Sequence, residues 1–334
     1  MPHLFLKLAI NIFPIRSIRR NLRRKLLRDK GSQELIHKKW LDDSRDKKFT
    51  AGHEVPYKII MQYRLRKTGN LPNLINPFSY NDKIAWLMLF DQNPMQVICS
   101  DKYKVRKFVE DRIGSKYLPN LYSTVKKTID INFRKMPESF VIKANHDSGS
   151  VFIVERKKDA DLNKIKKSLQ TALDKKYGRD KGEWAYGFID PYVIIEELLH
   201  DEKGNLPADF KFHCVDGKVV WLQYIFDRIK SPKEAIYDSS FNLLEMQMDE
   251  NFEQANPNME KPALWCEMIE ISERLSRGFK YVRVDLYHLR DRIVFGELTF
   301  YPRGGAYKTR YNKEFGKMMR FDMNQTRPIY LGGV

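Results

Sequence analysis

Two runs near the C-terminus alternate apolar and polar residues with the period of a β-strand, at residues 281–287 and 293–299. In the first run, the valine and leucine side chains point to one face, whereas Arg283 and Asp285 point to the other. In the second run, Glu297 and Thr299 share one face. The short polar segment between the runs suits a hairpin turn. The pattern therefore predicts that Asp285 and Glu297 lie side by side, with Arg283 adjacent.

The hydrophobic pattern elsewhere predicts a helical N-terminal third, a strand-rich middle and a last helix before the hairpin. Helices are predicted at about 55–66, 81–90, 101–111 (with Ser100 as its N-cap), 161–176 and 264–275. Strands are predicted at 120–125, 139–144, 151–155, 192–199, 208–214 and 218–226. Residues 31–50 are typical of a linker or short helix, and 228–262 show no clear element. This order indicates an α+β fold with a site between subdomains.

The composition indicates a folded protein with an acidic partner. A chain of 334 residues exceeds one ordinary core, which predicts two or three subdomains. The net charge of +17 favours nucleic acid, an anionic membrane face or a polyanionic substrate. Cys99, Cys214 and Cys266 are far apart in the sequence, which indicates reduced thiols in a cytosolic setting. The histidines lack the HExxH and HxxxH spacings of zinc sites.

The N-terminal segment carries much of the positive charge. Residues 1–30 contain nine lysines and arginines against one acid, so they supply +8 of the total. Apolar residues at 4–15 come before the basic run, which is the reverse of a secretory signal. We interpret the segment as an interfacial anchor for anionic lipid. The alternatives are a basic helix docked on its own protein and a disordered tail. Because the charge is concentrated here without a nucleic-acid motif, nucleic-acid binding is disfavoured.

The hairpin carboxylates and arginine are suited to holding a divalent metal against phosphate, and the alternative is a surface hairpin with a salt bridge. Lys102 follows a predicted helix start, and Lys143 ends a strand directly before the small polar loop 145–150. Backbone N–H groups of such a loop can bind phosphate oxygens, and Gly149 permits close approach. The apolar strand at 192–199 contains Glu196 and Glu197, as an adenine-binding edge requires.

The order of these motifs resembles the TupA-like ATP-grasp family, named for teichuronopeptide biosynthesis, over about residues 76–316. The motifs that carry the resemblance are Asn81-Asp-Lys-Ile-Ala-Trp-Leu, Ser100-Asp-Lys-Tyr-Lys-Val-Arg106, Phe140-Val-Ile-Lys-Ala-Asn-His-Asp-Ser-Gly149, Ile195-Glu-Glu-Leu, Asp209-Phe-Lys-Phe, Val282-Arg-Val-Asp-Leu-Tyr and Phe295-Gly-Glu-Leu-Thr-Phe300. The resemblance implies an ATP-grasp fold, with a nucleotide cleft between two α+β subdomains preceded by a helical N-terminal region. Together with the charge pattern of the N-terminus, it predicts a basic amphipathic extension (1–50), a helical region (51–98) and the ATP-grasp domain (99–330).

The resemblance also implies a role for individual residues. The ATP contacts are Lys102, Lys143, His146, Ser148, Gly149, Ser150, Glu196, Glu197, Leu199 and Asp209. The magnesium ligands are Asp285, Glu297 and Thr299, where Thr299 stands at a position that is asparagine in many members of the superfamily. The catalytic residues are Arg283 and Lys211. The substrate contacts are Arg228, Arg303 and Gly304, although Arg303 can equally be an ordinary loop arginine.

The implied activity is an ATP- and Mg²⁺-dependent carboxylate–amine ligase that joins an amine, such as an amino acid, to an anionic uronic acid of a cell-surface polysaccharide. The expected location is cytoplasmic, peripheral on the inner membrane face. One alternative is a glycosyltransferase, whose Asp-x-Asp motif occurs as Asp159-Ala-Asp161, although a helix N-cap explains that pair better. The other alternative is a membrane-surface scaffold without catalytic activity.

Overall fold

Helices fill the N-terminal third of the part of the chain that the computed structural model describes, which is residues 30–227, 231–257 and 259–332. Arg228 and the predicted anchor, apart from residue 30, lie outside these ranges. The α-helices are α1 (Lys30–Asp43), α2 (Glu54–Thr68), α3 (Tyr80–Phe90), α4 (Met95–Ser100), α5 (Val105–Ile113), α6 (Leu162–Leu173), α7 (Trp265–Ser276) and α8 (Asn312–Met318). None of these helices is long and apolar enough to cross a bilayer.

The predicted start of one helix is wrong. Ser100 is the last residue of α4 rather than the cap of the next helix. The side chain of Asp101 instead accepts hydrogen bonds from the backbone N–H groups of Tyr103 (2.8 Å) and Lys104 (3.2 Å). This local bonding holds a turn, so α5 begins only at Val105. The turn leaves Asp101 in position to anchor the next subdomain.

The small sheet is a four-stranded antiparallel layer in the order β1-β4-β2-β3. Its strands are β1 (Leu121–Val125), β2 (Phe140–Ala144), β3 (Val151–Val154) and β4 (Val193–Glu196). Phe140 and Ile142 on one face pack with Leu169 of α6 in a separate hydrophobic core. Since side chains alternate along a strand, the opposite face carries Lys143 and Glu196, on neighbouring strands.

The large sheet has the order β11-β10-β5-β6-β7-β8, with β9 pairing in parallel with β7. Its strands are β5 (Asp209–Val215), β6 (Lys218–Phe226), β7 (Lys233–Asp238), β8 (Leu243–Leu244), β9 (Glu253–Gln254), β10 (Tyr281–Leu289) and β11 (Arg292–Thr299). The predicted hairpin is β10–β11, and Asp285 is paired directly with Glu297. The prediction of adjacent carboxylates is therefore confirmed.

Helices cover both faces of the large sheet, but one face only in part. On one face Trp265 of α7 packs against Phe212, with ring centroids 5.6 Å apart. On the other face Tyr80 of α3 shares a hydrogen bond with Tyr281, at 2.8 Å between the hydroxyl oxygens. Because α3 and α8 cover only this end, the other end of the same face remains open to a cleft.

A β-bulge in β11 decides which residues face that cleft. The pairing shifts by one residue after the Asp285–Glu297 pair, which leaves Gly296 without a partner of its own. A Cβ atom on Gly296 would lie 3.0 Å from the carbonyl oxygen of Asp285. The extra residue lets Phe295 and Leu298, three positions apart, both reach the core while Glu297 faces the cleft.

Three strands in the segment 228–262 were not recognised from the sequence. They are β7, β8 and β9, which extend the large sheet. The central residue of this region is a buried carboxylate, Glu234, which accepts hydrogen bonds from the Gln223 side chain (2.6 Å) and from the backbone of Met248 (2.8 Å) and Asp249 (2.9 Å). Glutamate is usually a surface residue, so a buried glutamate interrupts the apolar pattern by which a strand is recognised in a sequence.

We expect Gly316→Ala to destabilise the protein. At Gly316, α8 passes very close to the start of α3. A Cβ at this position would lie 2.1 Å from the carbonyl oxygen of Phe78 and 2.7 Å from the backbone N of Tyr80. Backbone atoms move only if the helices separate, so the free energy of unfolding should fall by about 3 kcal/mol. Urea unfolding is the measurement. Gly187→Ala is the control, since no atom lies within 4 Å of its added Cβ; equal losses in both variants would contradict this packing.

Candidate active site

A cleft of about 830 Å³ lies between the loop after β2 and the open end of the large sheet. It is the space that the partial helix cover leaves. The predicted site residues that line it are Lys102, Ser148, Asp209, Lys211, Arg283, Glu297, Thr299 and Arg303. The fold therefore brings these residues from separate segments of the sequence to one cavity. The other predicted site residues that the structure describes are not part of its lining.

Asp285 holds two cations at the base of this cleft. It is buried and accepts hydrogen bonds from Arg283 Nε (2.6 Å) and Nη2 (2.7 Å). Lys211 Nζ lies 2.5 Å from the same carboxylate and 3.4 Å from Asp209. The cross-strand pairing of Asp285 with Lys211 explains the contact, because opposite residues on neighbouring strands bring their side chains together. Both cations thus have fixed positions before any ligand binds.

Glu297 is the carboxylate that reaches into the cleft. Its Oε1 accepts hydrogen bonds from Arg283 Nη2 (3.1 Å) and from the hydroxyl of Thr299 (3.0 Å). Burial opposes its charge, but Arg283, Lys102 and Lys211 together lower the pKa of Glu297 to about 2. Glu297 is therefore ionised throughout the physiological pH range.

Lys102 joins the two sides of the cleft. Its Nζ donates a hydrogen bond to the carbonyl oxygen of Asp147, and its backbone N–H donates to the carbonyl of Asn145 (3.1 Å). Asn145 in turn donates to Asp101 (2.9 Å). Burial lowers the pKa of Lys102, while Glu297 on the opposite wall raises it. The lysine thus fixes the loop after β2 and faces the carboxylate of the large sheet.

The loop 145–150 is closed by its own backbone. The N–H of Ala144 donates to the carbonyl of Ser150 (3.2 Å), and the Ser150 hydroxyl donates to the Asp147 carboxylate. Gly149 has φ +116°, a conformation that favours glycine. His146 is buried beneath the loop, where Nε2 lies 3.3 Å from the Lys175 carbonyl oxygen. Its side chain is not among the described residues that line the cleft, unlike Ser148.

Lys143 and Glu196 form an ion pair on the face of the small sheet that lacks α6. Glu197 points elsewhere: it accepts hydrogen bonds from Arg292 of β11 (2.7 Å) and from the backbone N–H of Asn120 (3.0 Å). Leu199 lies beyond the end of β4 and is partly buried. The carboxylates of Glu196 and Glu197 are thus both paired within the protein, which leaves backbone groups at the end of β4 as the polar edge.

The two predicted substrate residues that the structure describes, Arg303 and Gly304, follow β11 at the other end of the cleft. Arg303 forms an ion pair with Asp249 (2.5 Å) and has φ +55°. Its carbonyl oxygen accepts a hydrogen bond from the Tyr63 hydroxyl (3.0 Å). Gly304 is buried, and a Cβ there would lie 2.8 Å from the Tyr63 ring. Gly304 therefore acts through the backbone shape of this loop.

Part of the cleft wall was missed from the sequence. The residues that sequence reasoning did not select include Tyr63, Lys67, Tyr177, Lys181, Glu183, Tyr186, Asp249 and Lys308. Tyr177 to Glu183 form a tight turn between α6 and β4 with two glycines, Gly178 and Gly182, at φ +78° and +79°. Two glycines around charged residues are the one signal in the sequence for this turn.

The Asp-x-Asp pair has a structural explanation. Asp161 accepts a hydrogen bond from the backbone N–H of Lys164 (2.9 Å) as the N-cap of α6. Asp159 forms an ion pair with Arg156 (2.5 Å). Neither aspartate lines the cleft in the described part of the chain. The predicted N-cap is confirmed, and the pair offers no support for a glycosyltransferase.

The oxygen ligands at the base of the cleft fit a magnesium ion. Mg²⁺ binds through one or two carboxylates and takes its other ligands from phosphates and water. Glu297 and the Thr299 hydroxyl reach the cleft, with Asp285 directly behind. The described residues form no group of three or more Asp, Glu, His or Cys side chains able to hold a metal. The fit is therefore to an ion bound jointly by protein and phosphate.

Comparison with solved structures gives matches of low similarity. D-alanine–D-alanine ligase from Bacillus anthracis, in complex with ATP, is 21% identical over 61% of this chain and 55% of that chain, with a TM-score of 0.38. L-amino acid ligase from Bacillus licheniformis is 14% identical over 75% and 49%, with a TM-score of 0.41. The ATP-grasp ligase PsnB, with a precursor variant, Mg and ADP, is 14% identical over 68% and 58%, with a TM-score of 0.39.

This chain thus spans less than two thirds of the length of these structures. A search of curated proteins gave no match. The decisive comparison is with a family model described as TupA-like ATPgrasp, which matches residues 82–320, well over half of the sequence. The resemblance predicted from the sequence motifs is confirmed, and the domain boundaries at 50 and 98 remain predictions. The chain belongs to the TupA-like ATP-grasp family.

Proposed function

We propose that this protein is an ATP-dependent carboxylate–amine ligase that forms an amide through an acyl phosphate. The observation that carries the proposal is the convergence of Lys102, Lys211 and Arg283 with Glu297 in one cleft. Three cations and an ionised carboxylate suit a triphosphate with its metal better than an uncharged ligand.

The residues divide into a nucleotide end and a reacting end. Lys102 and Lys143 bind phosphate oxygens, together with the N–H groups of the loop 145–150. The adenine ring lies against the exposed face of the small sheet and forms hydrogen bonds with backbone groups near Leu199. The Glu197 carboxylate does not serve as its partner, because it is already bound to Arg292. Asp209 lies beside the ribose. Glu297 with Thr299 would hold magnesium, which would neutralise charge on the phosphates.

The first step is attack of a carboxylate oxygen on the γ-phosphorus of ATP, while the bond from phosphorus to the bridging oxygen breaks and ADP leaves. Arg283 and Lys211 stabilise the charge on the transferring group. Their binding to Asp285 fixes both cations in advance, so little reorganisation is needed as the charge moves. In this proposal Asp285 is a positioning residue, and Glu297 is the principal metal ligand.

The acceptor end of the cleft suits an anionic carboxylate substrate. Arg303 and Lys308 line it. We propose a uronic acid of a cell-surface polysaccharide as the carboxylate and an amino acid or similar amine as its partner. The net charge of +17 supports an anionic substrate of this kind and a location on the inner membrane face.

We expect ATP with Mg²⁺ to raise the melting temperature of the protein more than ATP alone. Glu297→Gln should remove the Mg²⁺-dependent part of the rise and retain the part due to ATP, because the amide binds the metal poorly. Thermal shift with each ligand is the measurement, and Glu314→Gln on the exposed face of α8 is the matched control. Stabilisation by UDP-sugar rather than ATP would favour a glycosyltransferase instead.

Incubation with ATP, Mg²⁺, a panel of uronic acids and a panel of amino acids should release ADP only when both substrates are present, and mass spectrometry should detect an amide. Asp285→Asn should lower the rate by about 10²-fold or more, since it releases both cations from their positions. Absence of amine-dependent ADP release with every pair would refute the ligase proposal. Full activity in Asp285→Asn would refute the role of this carboxylate.

Removal of residues 1–29, which precede α1, should abolish binding to vesicles that contain anionic lipid and leave ATP binding unchanged. Cosedimentation with vesicles is the measurement, with neutral phosphatidylcholine vesicles as the control. Undiminished binding of the shortened protein to anionic vesicles would refute the anchor.

A further inference from the structure

The turn Tyr177–Glu183 is built rigidly against the N-terminal helices. The backbone N–H groups of Lys181 and Glu183 both donate to the carbonyl of Gly178, at 3.1 and 3.0 Å. A Cβ on Gly182 would lie 2.6 Å from Cγ1 of Ile60 in α2. Arg66 of the same helix lies 3.4 Å from Asp180. Such close packing fixes the side chains that the turn presents to the cleft.

Glu183 is a buried carboxylate that lines the cleft, and one of its two oxygens lacks a hydrogen-bond donor. The residue is 5% exposed. Its Oε2 forms a long ion pair with Lys181 Nζ (3.5 Å), and no described residue donates a hydrogen bond of normal geometry to this oxygen. A buried carboxylate oxygen without a donor is costly, so a ligand that supplies an N–H at this point gains binding energy.

The surroundings of Glu183 connect it to the reacting end of the cleft. Lys181 Nζ is held by the hydroxyl of Tyr177 at 2.8 Å, so it does not move freely toward Glu183. Tyr186 lines the same cavity and lies within the electrostatic reach of both Glu183 and Glu297. The charges of Glu183 and of the proposed metal ligand, Glu297, thus both act on the Tyr186 hydroxyl.

We propose that Glu183 binds the ammonium group of the amine substrate and accepts a proton from it. This inference rests on the proposed ligase function. The ammonium gives one proton to the Glu183 carboxylate, and the nitrogen lone pair then forms the bond to the acyl carbon. The bond from that carbon to the phosphate oxygen breaks, and its electron pair leaves with phosphate, which takes the second proton. The products are the amide, hydrogen phosphate and a protonated glutamate that returns its proton to water.

The charges around the turn also select the class of amine. Lys67 lies close enough to Arg66 and Lys181 that repulsion from both contributes to lowering the pKa of Lys67, after the larger effect of burial. Cations beside a carboxylate match a substrate that carries both an ammonium and a carboxylate, which is the charge pattern of an amino acid. Glycine should therefore be a better acceptor than methylamine or glycinamide.

Burial raises the pKa of Glu183 to about 7, against the opposing charge of Lys181. This value is suited to a group that takes a proton near neutral pH. The titratable and charged groups that face Glu183 are Lys181, Asp180, Tyr177 and Tyr186 of its own segment, Tyr63 of α2, and Tyr301 after β11.

The test compares Glu183→Gln with Asp180→Asn, an exposed carboxylate on the same turn. The assay uses ATP, Mg²⁺ and glucuronic acid, or the uronic acid that the substrate panel selects, with either glycine or hydroxylamine as acceptor. At pH 7, amide formation with glycine should fall about 10²–10³-fold in Glu183→Gln. Hydroxamate formation should be unchanged, because hydroxylamine is already neutral and needs no base. The loss with glycine should shrink as pH rises and the free amine becomes abundant.

The outcomes separate this inference from the ligase proposal. Absence of both hydroxamate and amide in the wild-type protein refutes the ligase. Wild-type activity with equal glycine rates in Glu183→Gln at pH 7 overturns the role of Glu183 alone. An equal loss with both acceptors at every pH also overturns it, since that pattern indicates structural damage. Glu183→Asp, which keeps a carboxylate, should recover part of the glycine rate.

Stability gives a readout that does not depend on turnover. Because the folded-state pKa of Glu183 is raised from 4.5 to about 7, this group's contribution to stability falls as pH rises between those values. Glu183→Gln lacks that titration, so its melting temperature relative to wild type should increase from pH 5 to pH 8. Asp180→Asn should show no such increase. A pH-independent difference for Glu183→Gln would mean that the carboxylate does not occupy the buried environment on which the inference depends.

Discussion

The structure depends on one buried carboxylate that holds two cations at the open end of a sheet. Asp285 accepts two hydrogen bonds from Arg283 and one from Lys211. It is paired with Glu297 on the neighbouring strand. Without it, two buried positive charges would repel each other at the base of the cleft, at a cost of several kcal/mol. With it, the cations face the cleft in a fixed arrangement. Charge that develops on a bound phosphate then meets positive groups that do not need to move.

The cleft exists because the helices cover only part of one sheet face. Tyr80 seals one end of that face through its hydrogen bond with Tyr281, and the bulge at Gly296 turns Glu297 toward the uncovered end. Lys102 closes the space from the side of the small sheet by holding the Asp147 carbonyl. The helical region before residue 99 is thus structurally part of the site, since α3 sets the boundary of the cleft and α2 supports the turn that carries Glu183.

Sequence patterns predicted those parts of the site that lie on regular strands. The period of two along β10 was sufficient to place Arg283 and Asp285 on one face, because alternation in a strand is a direct geometric consequence of the backbone. The turn with Lys181 and Glu183 was missed, because its position depends on contacts with α2, more than a hundred residues earlier in the chain. The strand with Glu234 was missed for a related reason: the donors that make its burial tolerable come from other segments. Ser100 was misassigned because Asp101 competes for the same backbone N–H groups.

Two glutamates in one cleft have opposite electrostatic environments, and this contrast indicates different tasks. Glu297 is surrounded by Arg283, Lys102 and Lys211, which hold its pKa at about 2, so it remains a negative ligand at any physiological pH. Lys181 lowers the pKa of Glu183, but the opposing effect of burial is larger and the pKa lies at about 7. A carboxylate that never takes a proton suits binding of a metal, and one that titrates near neutrality suits proton transfer. The separation follows from where each residue lies: one is on the cationic sheet face, and the other is on a glycine-fixed turn packed against a helix. This contrast supports the proposed division of the cleft into a nucleotide end and an amine end.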